Sequence, residues 1–122
     1  MFERHPNLIV VFAEGGIAWV ADAVAAMDRV FRAYYTILKP KLAQLPSYYW
    51  HRNCHATFMD DPVGIEQMHR IHADNAMWSI DYPHPESCYG YAGDVAKSIY
   101  DAVGHEDAKK ILGGNAARLY GF

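Results

Sequence analysis

The stretch AMWSIDYPHPES, residues 76–87, ends an apolar run on a carboxylate, Asp81, and follows it at once with Tyr82, Pro83, His84, Pro85 and Glu86. An aspartate and a histidine three positions apart are proton-handling groups, and prolines stiffen the loop that carries them. A strand with a purely structural role usually stops at a Gly or Asn turn, so this one reads as presenting its last carboxylate. A second run, LIVVFAEGG, residues 8–16, is closed by another carboxylate, Glu14, and two glycines. Carboxylates serve as general bases and as ligands for divalent cations. Each also has a plainer reading: Asp81 as a cap satisfied by backbone N–H groups, Glu14 as an acid placed favourably at a helix start.

Seven histidines are many for 122 residues. His84 is either a substrate contact or a surface loop residue between prolines. His55 lies inside CHATF, residues 54–58, and points either to a pocket or to a packed layer, where a satisfied core histidine is the commoner outcome. His69 and His72 are three apart on the flank of a helix, away from its apolar stripe, and read as part of a solvated face. Cys54 and Cys88 are far apart with no C-x-x-C, so both read as reduced thiols, Cys54 within a strand.

The elements that must position these groups follow from periodicity. Residues 8–13 form a β-branched run of the kind buried on both faces of a parallel sheet. Val20, Val24, Met27, Phe31 and Tyr34 then recur at helical spacing, predicting a helix over 17–35. Residues 36–53 hold two prolines and no sustained period, so a long connection with at most a short helical turn is expected. CHATF is a second strand, Asp61 and Pro62 are the cap and first position of a second helix with Ile65, Met68 and Ile71 as its stripe, and 76–80 is a third strand. A third helix spans 93–103 with Val95, Ala96, Ile99 and Tyr100 inward. The tail reads as one or two more turns, a stop at Gly113-Gly114 and a short helix capped by Asn115. The order is β-α-β-α-β-α, an α/β chain of parallel strands with right-handed crossovers.

Length and composition set outer bounds. A chain of 122 residues makes one domain that buries roughly 65% of its unfolded surface. No apolar run approaches the ~20 residues of a membrane span. A formal net charge of -3 without a Lys/Arg cluster argues against a nucleic-acid partner. FERHPN after Met1 has none of the regions of a signal peptide, so a cytoplasmic protein is expected. Three parallel strands leave two sheet edges uncovered, which stable domains avoid. Self-association, or pairing with further units of a larger sheet, is therefore expected.

The segments FERHPNLIVVFAEGGIAWV, DDPVG, WSIDYPHPE and ILGGNAARLYGF, in this order and spacing, resemble the carboxy-terminal part of the amidohydrolase-related metal-dependent hydrolases. That branch includes aminocarboxymuconate-semialdehyde decarboxylase and the hydroxybenzoate-type decarboxylases. The resemblance implies a (β/α)8 barrel of which this chain is the last three βα units. It places Asp81 at the end of the eighth strand, as metal-facing residue and proton shuttle. It places Glu14 at the end of the sixth strand, where many members carry a histidine ligand; a carboxylate is a harder ligand, and the substitution implies altered, weakened or lost metal binding. The family's H-x-H on the first strand and histidine on the fifth have no counterpart here. The implied cofactor is a divalent metal in the complete barrel, zinc or else manganese, with none in this chain alone as the alternative. The implied activity is hydrolysis or non-oxidative decarboxylation of a small carboxylate-bearing molecule. The rival reading is a non-catalytic α/β remnant or interaction module that has lost the site.

Overall fold

The centre of the chain is a sheet of three parallel strands in the order β1-β2-β3, with β1 at Val10–Phe12, β2 at Cys54–Phe58 and β3 at Ala76–Trp78. This is seen in a computed structural model that describes residues 1–39 and 42–122. The register pairs Val10 with Cys54, Phe12 with Ala56, Ala56 with Ala76, and Phe58 with Trp78. The parallel, neighbouring order expected from the three βα repeats is what forms.

Successive strand side chains point to opposite faces, and here one alternate set builds the core. Val10, Cys54, Ala56, Phe58, Ala76 and Trp78 pack with the helices in one cluster, while Val11, His55, Thr57 and Met77 occupy the other face. Against the first face lie α1 (Ala18–Tyr34), α3 (Pro62–Glu66), α4 (Met68–Ile71) and α5 (Ala92–Val103). They contribute Val20, Val24, Ile65, Met68, Ile71, Val95 and Ile99, all buried. Each such aliphatic side chain is worth about 1.5–3 kcal/mol of burial. No helix among the described residues is long and apolar enough to cross a membrane.

Two regions differ from the sequence-based expectation. Within the connection 36–53, of which Pro40 and Lys41 lie outside the described residues, Pro46–Asn53 is a full helix, α2. Pro46 occupies its first turn, where a missing N–H costs nothing, and Tyr49, Trp50 and Asn53 are buried. The glycines at 113 and 114 do not stop the chain either. Helix α6 (His105–Lys109), a π-helical turn (Lys110–Gly114) and α7 (Asn115–Tyr120) run on as one rod. The backbone of Gly114 comes so close to the Lys109 carbonyl that a Cβ there would sit 3.2 Å from its oxygen.

Asn115 does not cap α7; its amide reaches away from the helix to the carbonyls of Ala73 and Ala76, at 2.7 and 2.8 Å. It belongs to a repeated device. Asn53, just before β2, donates to the carbonyls of Pro6 and Leu8 ahead of β1. Asn75, just before β3, donates to the carbonyls of His51 and Cys54 at the start of β2. All three asparagines are buried, so each satisfies carbonyls that would otherwise be stranded where the strands begin.

At the opposite end of the sheet Asp61 caps α3 as expected, its Oδ1 accepting from the Gly64 N–H at 2.8 Å. Its Oδ2 also accepts from the N–H groups of Ile17 and Ala18, at 2.7 and 2.9 Å, so that one carboxylate holds the starts of α3 and α1 together. A Cβ on Gly64 would lie 2.4 Å from Ile17 Cγ1, so only glycine admits this approach. Replacing Asp61 by Ala removes three charge-assisted bonds to helix starts and is expected to lower unfolding free energy by about 3 kcal/mol. Asn, with one acceptor oxygen and an amide facing N–H donors, should give an intermediate loss. Urea unfolding of both variants checks the ordering.

Candidate functional site

Each strand of the sheet runs out into an acidic residue. Glu14 lies two positions beyond β1, Asp60 two beyond β2, and Asp81 three beyond β3. Glu14 and Asp81 share a further property: both have positive φ, 62° and 57°. Asp tolerates the left-handed region, but Glu there is uncommon, and non-glycine residues held in it concentrate at functional sites. The Glu14 turn is pinned from two sides. Its N–H donates to Thr57 Oγ1 on β2 at 3.0 Å, and two residues on, Gly16, itself at φ 64°, leads into the N–H groups held by Asp61. The Asp60 carboxylate takes a hydrogen bond from the Tyr91 hydroxyl, and partial burial followed by that negative charge pushes the Tyr91 phenol above its usual range.

Asp81 sits in a loop closed on itself. Parallel pairing continues one residue past β3 through Ser79 N–H to Phe58 O at 2.9 Å. The chain then turns through a cis Tyr82–Pro83 bond, with His84 N–H returning to the Asp81 carbonyl at 2.9 Å. Ser87 fastens the far side, its N–H on the His84 carbonyl and its hydroxyl on the Ile80 carbonyl at 2.7 Å.

Within this loop the ring of His84 meets the carboxylate, Nδ1 lying 3.3 Å from Asp81 Oδ2. The same nitrogen is 3.4 Å from the Glu86 N–H. It can accept from Glu86 when unprotonated or donate to Asp81 when protonated, and it cannot do both. The Asp81 side chain is 27% exposed and the His84 ring 57% exposed.

The structure brings Asp81 and His84 together and puts Glu14 at the same end of the sheet. His55 lies elsewhere. It is the second residue of β2, near the amino end of the strands, bonded to the backbone of Asp74, and its Nδ1 is buried without a partner. Burial, and then the Arg118 charge, holds its imidazole below the usual range.

A family metal would need more donors than this chain brings together. Among the described residues no three His, Cys, Asp or Glu side chains converge, whereas a catalytic zinc takes three protein ligands. Glu14 and Asp81 can be two donors of a site and do not make one alone. Sequence reasoning did not reach Thr57 or the second role of Asp61, because each acts on backbone more than 40 residues away.

A family model described as amidohydrolase matches residues 1–122. Among solved structures, 5-carboxyvanillate decarboxylase from Sphingomonas paucimobilis superposes with a TM-score of 0.77 at 26% identity, covering 99% of this chain and 36% of that one. A dihydroxybenzoic acid decarboxylase from Polaromonas sp. JS666, with bound manganese and 2-nitroresorcinol, gives 0.69 at 22% identity over 98% and 36%. The 2,6-dihydroxybenzoate decarboxylase from Rhizobium gives 0.69 at 24% over 98% and 36%. The chain thus spans about a third of the length of the solved structures it matches, and its three parallel βα units are an arc of a (β/α)8 barrel. No curated protein matches at a significant level.

His55 supplies a pH dependence whose sign is fixed. Its folded-state pKa is depressed, so the unfolded chain binds the proton more readily and stability is lost as pH falls below the unfolded value of about 6.5. Urea unfolding between pH 7.5 and 5.0 should show this decline. His55→Leu should flatten it by at most about 1.4 kcal/mol per pH unit, the contribution of one proton.

Proposed function

The chain belongs to the amidohydrolase family, and on that premise we propose that it supplies the proton-handling end of a barrel enzyme that decarboxylates a small carboxylate-bearing substrate without oxidation. The observation that carries this reading is Asp81: a carboxylate past the end of β3, at φ 57°, with an imidazole 3.3 Å away and the wall of the loop hydrogen-bonded around it. In barrels of this type the carboxyl ends of the strands carry the chemistry. Decarboxylation is favoured over hydrolysis because the solved relatives are named for removing carbon dioxide from carboxyvanillate and dihydroxybenzoate, the first at 26% identity.

The residues suit the atom balance of that reaction. When the bond to the carboxylate breaks, its electron pair stays on the substrate carbon, carbon dioxide leaves, and the carbon takes up one proton. Asp81 in its acid form delivers that proton, and His84, half open to solvent, restores it. Hydrolysis would use the same oxygen in the opposite sense, to take a proton from attacking water. A divalent cation, manganese as in the Polaromonas relative or zinc, belongs to the proposal for the complete barrel, with Asp81 and Glu14 as this chain's share of its donors.

Further barrel units, or a second copy of the chain, are the proposed partners of the sheet edges. On the helix side of β1 an apolar cavity of about 500 Å³, lined by Phe2, Phe12, Trp19, Met27, Tyr49 and Trp50, offers such units a seat. The rival, a non-catalytic module, is favoured by the presence of only two candidate metal donors, Glu14 and Asp81, among the described residues.

In the complete barrel with manganese, assayed by carbon dioxide release from 5-carboxyvanillate and 2,6-dihydroxybenzoate, Asp81→Asn should reduce turnover roughly 100- to 10,000-fold. Its melting temperature should stay close to the parent's, since no cavity is made. Unchanged turnover would remove Asp81 from the chemistry, and a parent protein inert toward both acids would favour the non-catalytic module.

A further inference from the structure

At the amino end of the sheet two histidines lie face to face. His51, in the last turn of α2, and His72, between α4 and the 3-10 turn Ala73–Asn75, stack with ring centroids 3.8 Å apart and planes 18° from parallel. His72 holds this position at φ 72° and ψ 128°, a conformation that suits glycine far better than a branched side chain. Its imidazole is kept there against a backbone penalty. Parallel planes at this separation cannot both contain one metal ion, so the pair is not a chelate.

What the stack joins gives it meaning. His51 Nδ1 lies 3.4 Å from Asn75 Oδ1, and the amide of the same asparagine donates to the His51 and Cys54 carbonyls at 3.1 and 2.7 Å. The Asn75 N–H in turn bonds the His72 carbonyl at 3.0 Å. The two rings therefore close a loop through Asn75 that ties the α2–β2 junction to the α4–β3 junction.

We propose that His51 and His72 form a pH-sensitive clasp between these two junctions, closed while the pair carries at most one proton and opened by the second. Two neutral rings stack, and one charged ring on a neutral one is attractive. Two like charges 3.8 Å apart, His51 half-buried and His72 exposed, repel. The groups facing the pair do not cancel that repulsion. Asp28 of α1 attracts His51, but it is already bound to the Ser47 N–H and lies 3.9 Å from Arg32. Around His72 a polar cavity holds His69, Asp74, Asp107 and Lys110, and Lys110 spans both acids at 3.2 and 2.9 Å. Burial, and then the charge of His72, keeps His51 below its usual range.

The test is NMR on the full chain between pH 7.5 and 5.0, following the imidazole ring signals and the amide-exchange protection of Cys54 and Asn75, corrected for intrinsic rates. The parent should show two coupled proton-binding steps, and both amides should lose at least tenfold in protection as the second proton binds. His51→Phe keeps a ring to stack on and cannot be charged; His72 should then titrate in a single step and protection should persist. His72→Gly, which relieves the backbone, should likewise abolish the acid-driven loss. Independent titration of the two rings in the parent, or the same loss of protection in both variants, would overturn the clasp.

Discussion

The carboxylate of Asp61 is the contact on which the carboxyl end of the sheet depends. Three backbone N–H groups converge on it, two from the start of α1 and one from the start of α3. Helix starts carry unsatisfied donors and partial positive charge, so an anion shared between two of them satisfies both at once. The sharing requires that the two helices approach closely, which is why Gly64 has no room for a side chain. It also determines where the β1–α1 loop ends, leaving Glu14 to span the gap between β1 and Gly16 in a left-handed conformation, with Thr57 holding its N–H.

The two ends of the sheet are built by different chemistry. At the amino end, neutral amides of Asn53, Asn75 and Asn115 satisfy buried carbonyls, one asparagine per strand. Such fully paired polar groups make a rigid floor. At the carboxyl end the groups are anionic, partly exposed and short of partners: Glu14 has its side chain free of hydrogen bonds among the described contacts, and Asp81 has one imidazole. This contrast between the two ends is what supports placing the proposed chemistry at the second.

The strands, α1, the Asp61–Pro62 helix start and the apolar stripe of Ile65, Met68 and Ile71 were legible in the sequence, because periodicity and capping are local signals. So was the prominence of Asp81 at a strand end. Helix α2 was not, since two prolines and an aromatic cluster hide an eight-residue helix whose stability comes from burying Tyr49 and Trp50. Gly113 and Gly114 looked like a terminator and instead sit in a π turn, which shifts Asn115 out of a capping role and toward the Ala73 and Ala76 carbonyls. The asparagine bonds, the Thr57 contact and the second half of the Asp61 clamp all join residues distant in sequence, and nothing local announces them.

The central claim is that the carboxyl ends of the strands, and not the histidine-rich amino end, form the chemical site. Paramagnetic broadening by substoichiometric manganese tests this most directly, because even weak binding bleaches nearby amide signals. The account predicts that the amides of Glu14 and Asp81 broaden first, while those of His51, His55 and His72 stay sharp. First broadening around Asp74 and Asp107, with Glu14 and Asp81 unaffected, would contradict it.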